Sequence, residues 1–282
     1  MLQSILIFAP PLIFAVVLHE IALGYVAYWL GDPTAKKLGR LSLNPIRHVD
    51  PFMTLLLPGM LMAMHSPVLF GGAKPVPINP LYFKNPRYGI VLVALAGPLT
   101  NIVLALLSFG AVMLANRSTF IQQALPAPVL LIVLMWCLTG VLTNLVLAMF
   151  NLIPIPPLDG GKIAMGLLPQ SLAVLLSKLE SWGLILMFLL LSSGTVSTYL
   201  SPVINFATNR LCNELYAGES VGSCPLLRGD FESMTTASSG CPMVKLSLPP
   251  TPIAFRPEAR ASLTRYFAPS IVNVLLRFVT SL

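Results

Sequence analysis

SILIFAPPLIFAVVLHEIALGYVAYWL, residues 4–30, carries one formally charged side chain, Glu20, next to a histidine, His19. The stretch is longer than the roughly 20 apolar residues with which an α-helix crosses a hydrocarbon core. It predicts a membrane span, interrupted at Pro10-Pro11, because an interior proline removes a helical hydrogen bond and clashes with the preceding turn. Outward from it, apolar runs at residues 89–115, 129–150 and 172–191 predict further spans. Residues 52–70 are also apolar but hold Pro58-Gly59 near their middle. The expectation is an all-α polytopic protein, integral to the membrane and multi-pass. It is a bundle of about four to six transmembrane helices with a re-entrant or hairpin segment. Composition agrees: 56% of the residues are hydrophobic and 10% charged, where a soluble domain has about a quarter charged.

The loops set the topology. Lys36, Lys37, Arg40 and Arg47 lie in residues 31–50, and a second polar stretch runs from Lys74 to Arg87. If residues 52–70 crossed fully, these basic loops would face opposite compartments. If the segment dips in and returns, both face the cytoplasm, as the positive-inside tendency prefers. Pro58-Gly59 favours the re-entrant form, whose non-helical backbone must be covered by protein. The first span then runs outside to inside, the run 89–115 goes out, and 129–150 returns. Residues 116–128, with Arg117 as their one formal charge, lie outside.

Other classes recede. The net charge of +7 is spread over loops and tail without a basic run, so no nucleic-acid partner is expected; anionic lipid and the bilayer account for it. Cys137, Cys212, Cys224 and Cys241 form no C-x-x-C pair. No basic n-region or small-residue cleavage site marks a removed signal peptide. There are no matching half-chain repeats of the transporter type. From about residue 209 the chain turns Ser- and Pro-rich without periodicity, so residues 1–208 read as a transmembrane domain and 209–282 as a poorly structured tail. The apolar patch at 271–279 is too short to span.

Two stretches carry chemistry. His19-Glu20-Ile21-Ala22-Leu23 is an H-E-x-x-H zinc helix motif with leucine at the second histidine. Residues four apart share a helix face, so His19 and position 23 would meet one ion, with Glu20 reaching its bound water as base. Ionisable groups inside a span usually face a cavity or a partner. Asn151-Leu-Ile-Pro154-Ile-Pro156-Pro157-Leu158-Asp159-Gly160-Gly161 follows a span and must be unwound by its three prolines. That makes Asp159 a candidate oxygen ligand once the loop turns back into the membrane. Read alone, His19-Glu20 could equally be a hydrogen-bonded pair inside the bundle, and the Asp159 stretch a surface turn.

Together, the two stretches resemble the site-2 protease family of intramembrane zinc metallopeptidases. The likeness runs through Gly39-Arg-Leu-Ser-Leu-Asn-Pro45, His48-Val-Asp-Pro51, Gly72-Ala-Lys-Pro-Val-Pro-Ile-Asn-Pro80 and Ala96-Gly-Pro-Leu-Thr-Asn101, over about residues 1–210. The resemblance implies one zinc ion, with His19 as its first ligand, Asp159 as its third and Glu20 as general base. It implies supporting roles for Asn101 and Asn151 beside the site, and a substrate-holding role for the loop from Lys74 to Pro80. The implied partner is a transmembrane protein substrate or helix.

Leu23 divides the readings. Catalytic zinc takes three protein ligands, and only His19 and Asp159 remain of the expected set. His65 in the re-entrant segment could replace the missing one; His48 matches a loop position and reads as structural. One reading is an active intramembrane endopeptidase. The other is a pseudoprotease that keeps the fold and binds membrane helices without cutting them.

Overall fold

The structure is a computed structural model that describes residues 2–64 and 71–215. Among those residues the regular secondary structure is all helical, with no strand. Three helices are long and apolar enough to cross a membrane: α1 (Leu2–Trp29), α4 (Pro86–Arg117) and α6 (Ala127–Asn151). They correspond to the spans expected at 4–30, 89–115 and 129–150.

The interruption expected at Pro10-Pro11 does not occur; α1 runs through it. Pro10 has no amide to offer the carbonyl of Leu6, four residues earlier. Trp136 of α6 supplies the missing donor, its Nε1 hydrogen-bonding Leu6 O at 3.0 Å. The helix continues because a neighbour satisfies the freed group, as lipid requires.

Five Asx-Pro steps shape the region between α1 and α4. Asp32-Pro33, Asn44-Pro45, Asp50-Pro51, Asn79-Pro80 and Asn85-Pro86 each open a helical turn. In each the Asx oxygen accepts a backbone amide two or three residues on, while proline takes the first helical position in four of them and the N-cap, Pro33, at α2. The turns so opened are α2 (Thr34–Lys37), a 3₁₀ turn (Pro45–His48), a π-helical segment (Pro51–Leu56), a second 3₁₀ turn (Pro80–Tyr82) and α4 itself.

The π-helical segment leads into α3 (Leu57–Ala63). The two ends of this excursion meet. Gly72 N donates to Met53 O at 3.0 Å, Thr54 Oγ1 to Gly72 O at 2.6 Å, and Lys74 N to His48 O at 2.8 Å. A segment that starts and finishes at one place enters and returns, as the re-entrant reading expected. Both basic loops therefore leave from the same end of the bundle.

The single span expected over 172–191 is bent. α8 (Gln170–Glu180) and α9 (Gly183–Ser192) meet at 89°. At the break Gly183 lies against Pro157, where a Cβ would come within 3.0 Å of Pro157 Cδ. Counting the pair as one span gives four in all. α5 (Thr119–Ala124) and α7 (Asp159–Leu167) are short, and α10 (Thr195–Leu215) carries the helical structure past residue 208. Residues 216–282, with the patch at 271–279, lie outside the described residues.

Packing fixes the register. Leu23 and Ala27 of α1 meet Val93 of α4, and His19 meets Gly97, so these helices are antiparallel. Ala115 of α4 meets Leu130 and Leu134 of α6, again antiparallel. α1 and α6 are thus parallel, with Trp136 level with Leu6. Thirteen residues further on, His19 comes level with the last turn of α6. The main core joins Leu138, Val141 and Leu142 of α6 to Val112 of α4 and to Val196, Leu200 and Leu211 of α10.

Candidate active site

α6 ends at Asn151 beside His19's level, and residues 152–158 are unwound as their prolines require. Asp159 therefore needs no deep return into the membrane. It opens α7, and the turn folds tightly over that helix's start. A Cβ at Gly160 would lie 2.4 Å from the carbonyl oxygens of Leu152 and Ile153, and one at Gly161 2.5 Å from Pro156 N. Only glycine lets the backbone approach so closely.

His19 lies at the centre, 6% exposed. Its Nε2 is 3.0 Å from Asp159 Oδ2 and its Nδ1 is 3.3 Å from Asn101 Oδ1. Asn101 Oδ1 and Asp159 Oδ2 are both acceptors, so each contact is a hydrogen bond when the facing ring nitrogen carries the proton; an acceptor on the far ring nitrogen is how metal-binding imidazoles are oriented. Asn101 is fully buried, and its Nδ2 has no partner. Gly97 makes room for the ring: a Cβ there would be 2.4 Å from Cε1 and Nε2.

Asp159 is also nearly buried and spends its other oxygen on Lys162, whose Nζ donates to Oδ1 at 2.9 Å. Glu20 sits one residue round from His19 and accepts the Val76 amide on Oε2 at 2.9 Å. Residues 71–79 form no regular secondary structure. They are tied to the α1 side through that bond, through Asn79 N to Asp32 Oδ2 at 2.6 Å, and through the Arg40 guanidinium on Lys74 O.

The fold thus brings together His19, Glu20, Asp159 and Asn101. Asn151 Nδ2 donates to Leu147 O of its own helix at 2.9 Å. His48 is buried in its 3₁₀ turn with Nε2 on Ser42 O at 2.8 Å, the structural role expected. His65 lies outside the described residues. Lys162, Gly97 and the Val76 amide were not foreseen. Lys162 was readable as the i+3 neighbour of Asp159; the other two depend on which helices meet.

Leu23 stands where a second histidine would. It is 4% exposed and packs with Ala27, Phe83 and Val93. Bonds of about 2.0–2.2 Å to a tetrahedral zinc set two ligands roughly 3.3–3.6 Å apart, close to the 3.0 Å between His19 Nε2 and Asp159 Oδ2. That pair suits a metal, but the set does not. Position 23 offers hydrocarbon, and among the described residues no three His, Cys, Asp or Glu side chains are grouped to hold an ion. The described donors do not fit a catalytic zinc centre.

The family model for peptidase family M50 matches residues 7–193. The chain is 41% identical over 203 residues to "Putative zinc metalloprotease YwhC" of Bacillus subtilis (strain 168), covering 69% of this chain and 84% of that protein. It is 27% identical over 191 residues to "Putative zinc metalloprotease Rip2" of Mycolicibacterium smegmatis, covering 66% and 67%. To the Rip2 of Mycobacterium tuberculosis it is 35% identical over 143 residues, half the length of that protein. No solved structure matches.

Proposed function

The chain belongs to peptidase family M50, the site-2 proteases, and from that premise we propose that it binds a transmembrane segment of another protein without hydrolysing it. Its relatives are named as zinc metalloproteases, and a metalloprotease scaffold in an integral, multi-pass membrane protein is the ground on which the reading rests. Leu23 carries it. A catalytic zinc needs three protein ligands, and the face of α1 that should supply two supplies His19 and a packed leucine. In this reading Lys162 holds Asp159, Asn101 orients His19, and Glu20 holds the 71–79 loop through Val76. These five side chains hold a binding site together and move no proton.

The test is zinc content of the purified, detergent-solubilised chain beside Leu23→His, with cleavage of a transmembrane reporter. The expected result is about one zinc per chain in the variant alone, and reporter binding by the natural chain that a zinc chelator leaves intact. Zinc and cleavage in the natural chain overturn the proposal.

The closeness of His19 and Asp159 favours a second reading, an active endopeptidase with its third ligand from elsewhere. His65 is the first residue to substitute. Under that reading the natural chain holds zinc and His65→Ala loses it.

A further inference from the structure

Two buried amide atoms have no hydrogen-bond partner among the described residues: Asn101 Nδ2 on α4 and Asn144 Oδ1 on α6. Their residues are 0% and 4% exposed. Each side chain is held by its other end. Asn101 Oδ1 lies on the His19 ring, and Asn144 Nδ2 donates to Gly140 O at 2.8 Å. One unpaired atom is therefore a donor and the other an acceptor. Buried polar atoms are seldom left without protein or ordered water, so two complementary ones in one helix interface call for a common partner.

Register brings the two together. A Cβ at Gly140 would lie 3.0 Å from Ser108 Oγ, so these residues of the antiparallel α4 and α6 are level. Asn101 is seven residues from Ser108, two turns along one face of α4, and Asn144 is four residues from Gly140, one turn along α6. Both steps lead toward the His19 end of the bundle. At 1.5 Å per residue they are about 10.5 and 6 Å, which leaves the two residues about 4–5 Å apart along the axes. One water spans that distance with a hydrogen bond of roughly 2.8–3.0 Å on either side. Small buried residues leave space for it: Ala105 one turn from Asn101, Gly140 one turn from Asn144, and Ala15 one turn before His19 on α1.

We infer that Asn101 Nδ2 and Asn144 Oδ1 share one buried water, which accepts from the first and donates to the second, and that Asn144 is thereby a positioning residue for His19. With Nδ2 so held, the Asn101 amide cannot turn over, and Oδ1 stays on the imidazole. A flipped amide would present a donor to that ring nitrogen in place of an acceptor. A side chain on α6 that does not touch His19 thus fixes what the ring meets on α4, as outer hydrogen-bond partners fix imidazoles elsewhere. The water serves His19 whether the chain cuts or only binds.

The test is a double-mutant cycle of Asn101→Leu and Asn144→Leu in the full chain in detergent. Two quantities are read: the thermal unfolding midpoint, and the ring-nitrogen magnetic resonance signals of isotope-labelled histidine at one pH, with His19 assigned by the loss of its signal in His19→Gln. Asn144→Leu should lower the midpoint by about 2–10 °C, as an orphaned Asn101 amide requires. It should also move the His19 signal in the same direction as Asn101→Leu does. The double variant should lose no more than Asn101→Leu alone. Asn144→Ala should give the same His19 shift, which separates loss of the carbonyl from crowding by leucine. Losses that add in the double variant overturn the shared water. A His19 signal unmoved in both Asn144 variants overturns the positioning role and leaves Asn144 to packing. Neither reading involves zinc or cleavage, so the outcome is distinct from that of the metal-content experiment.

Discussion

At the scale of single residues, His19 is held by what surrounds its ring. Asn101 takes Nδ1, Asp159 takes Nε2, and Gly97 leaves the space the imidazole fills. Gly97→Ala puts a methyl 2.4 Å from two ring atoms, so the ring must turn away from both partners. The expected cost is about 1–3 kcal/mol of stability, the usual range for overpacking, read by thermal unfolding in detergent. In a Leu23→His background the same change should lower zinc affinity; unaltered affinity would mean that His19 does not depend on this cradle. The Leu23 substitution itself was visible in the sequence. Its packing against Phe83 and Val93 was not, because those residues lie some 60 to 70 positions away.

Helices show where local rules yield to neighbours. Pro10-Pro11 reads as a break from the sequence alone, yet α1 is continuous because Trp136 Nε1 reaches the carbonyl that Pro10 leaves free. Trp136→Phe keeps the ring and removes the donor, leaving Leu6 O without a partner. A loss of about 1–3 kcal/mol is expected on thermal unfolding, and Pro10→Ala in the same chain should recover part of it by restoring the amide. No loss in the single variant would show that the indole bond does not sustain α1. The bend between α8 and α9 has the same character. An apolar run gives no warning of it, and it falls where Gly183 meets Pro157.

For the whole molecule, the joined ends of the re-entrant segment place both basic loops at one end of the bundle, opposite the connection between α4 and α6. With the natural cysteines replaced, Lys37→Cys and Lys84→Cys should react with an impermeant maleimide from one membrane face. Thr119→Cys should react only from the other. Labelling of Lys37→Cys and Lys84→Cys from opposite faces would mean that the segment crosses. All three positions are exposed, so reactivity reports sidedness rather than burial.

Hydropathy and motif spacing by themselves determined the class of protein, the three principal spans, the family and the vacancy that Leu23 leaves in the ligand set. These follow from local chemistry: apolar length answers to bilayer thickness, and a missing imidazole is missing in any fold. Only the tertiary structure decided that Asp159 lies level with His19, because that level comes from α6 running parallel to α1 and ending at Asn151. It decided too that Asn101 Oδ1 meets the His19 ring and that the Arg40 guanidinium ties the carbonyls of Arg47 and Lys74 together. Each depends on which helix faces which, and that is settled by packing between residues far apart in the chain.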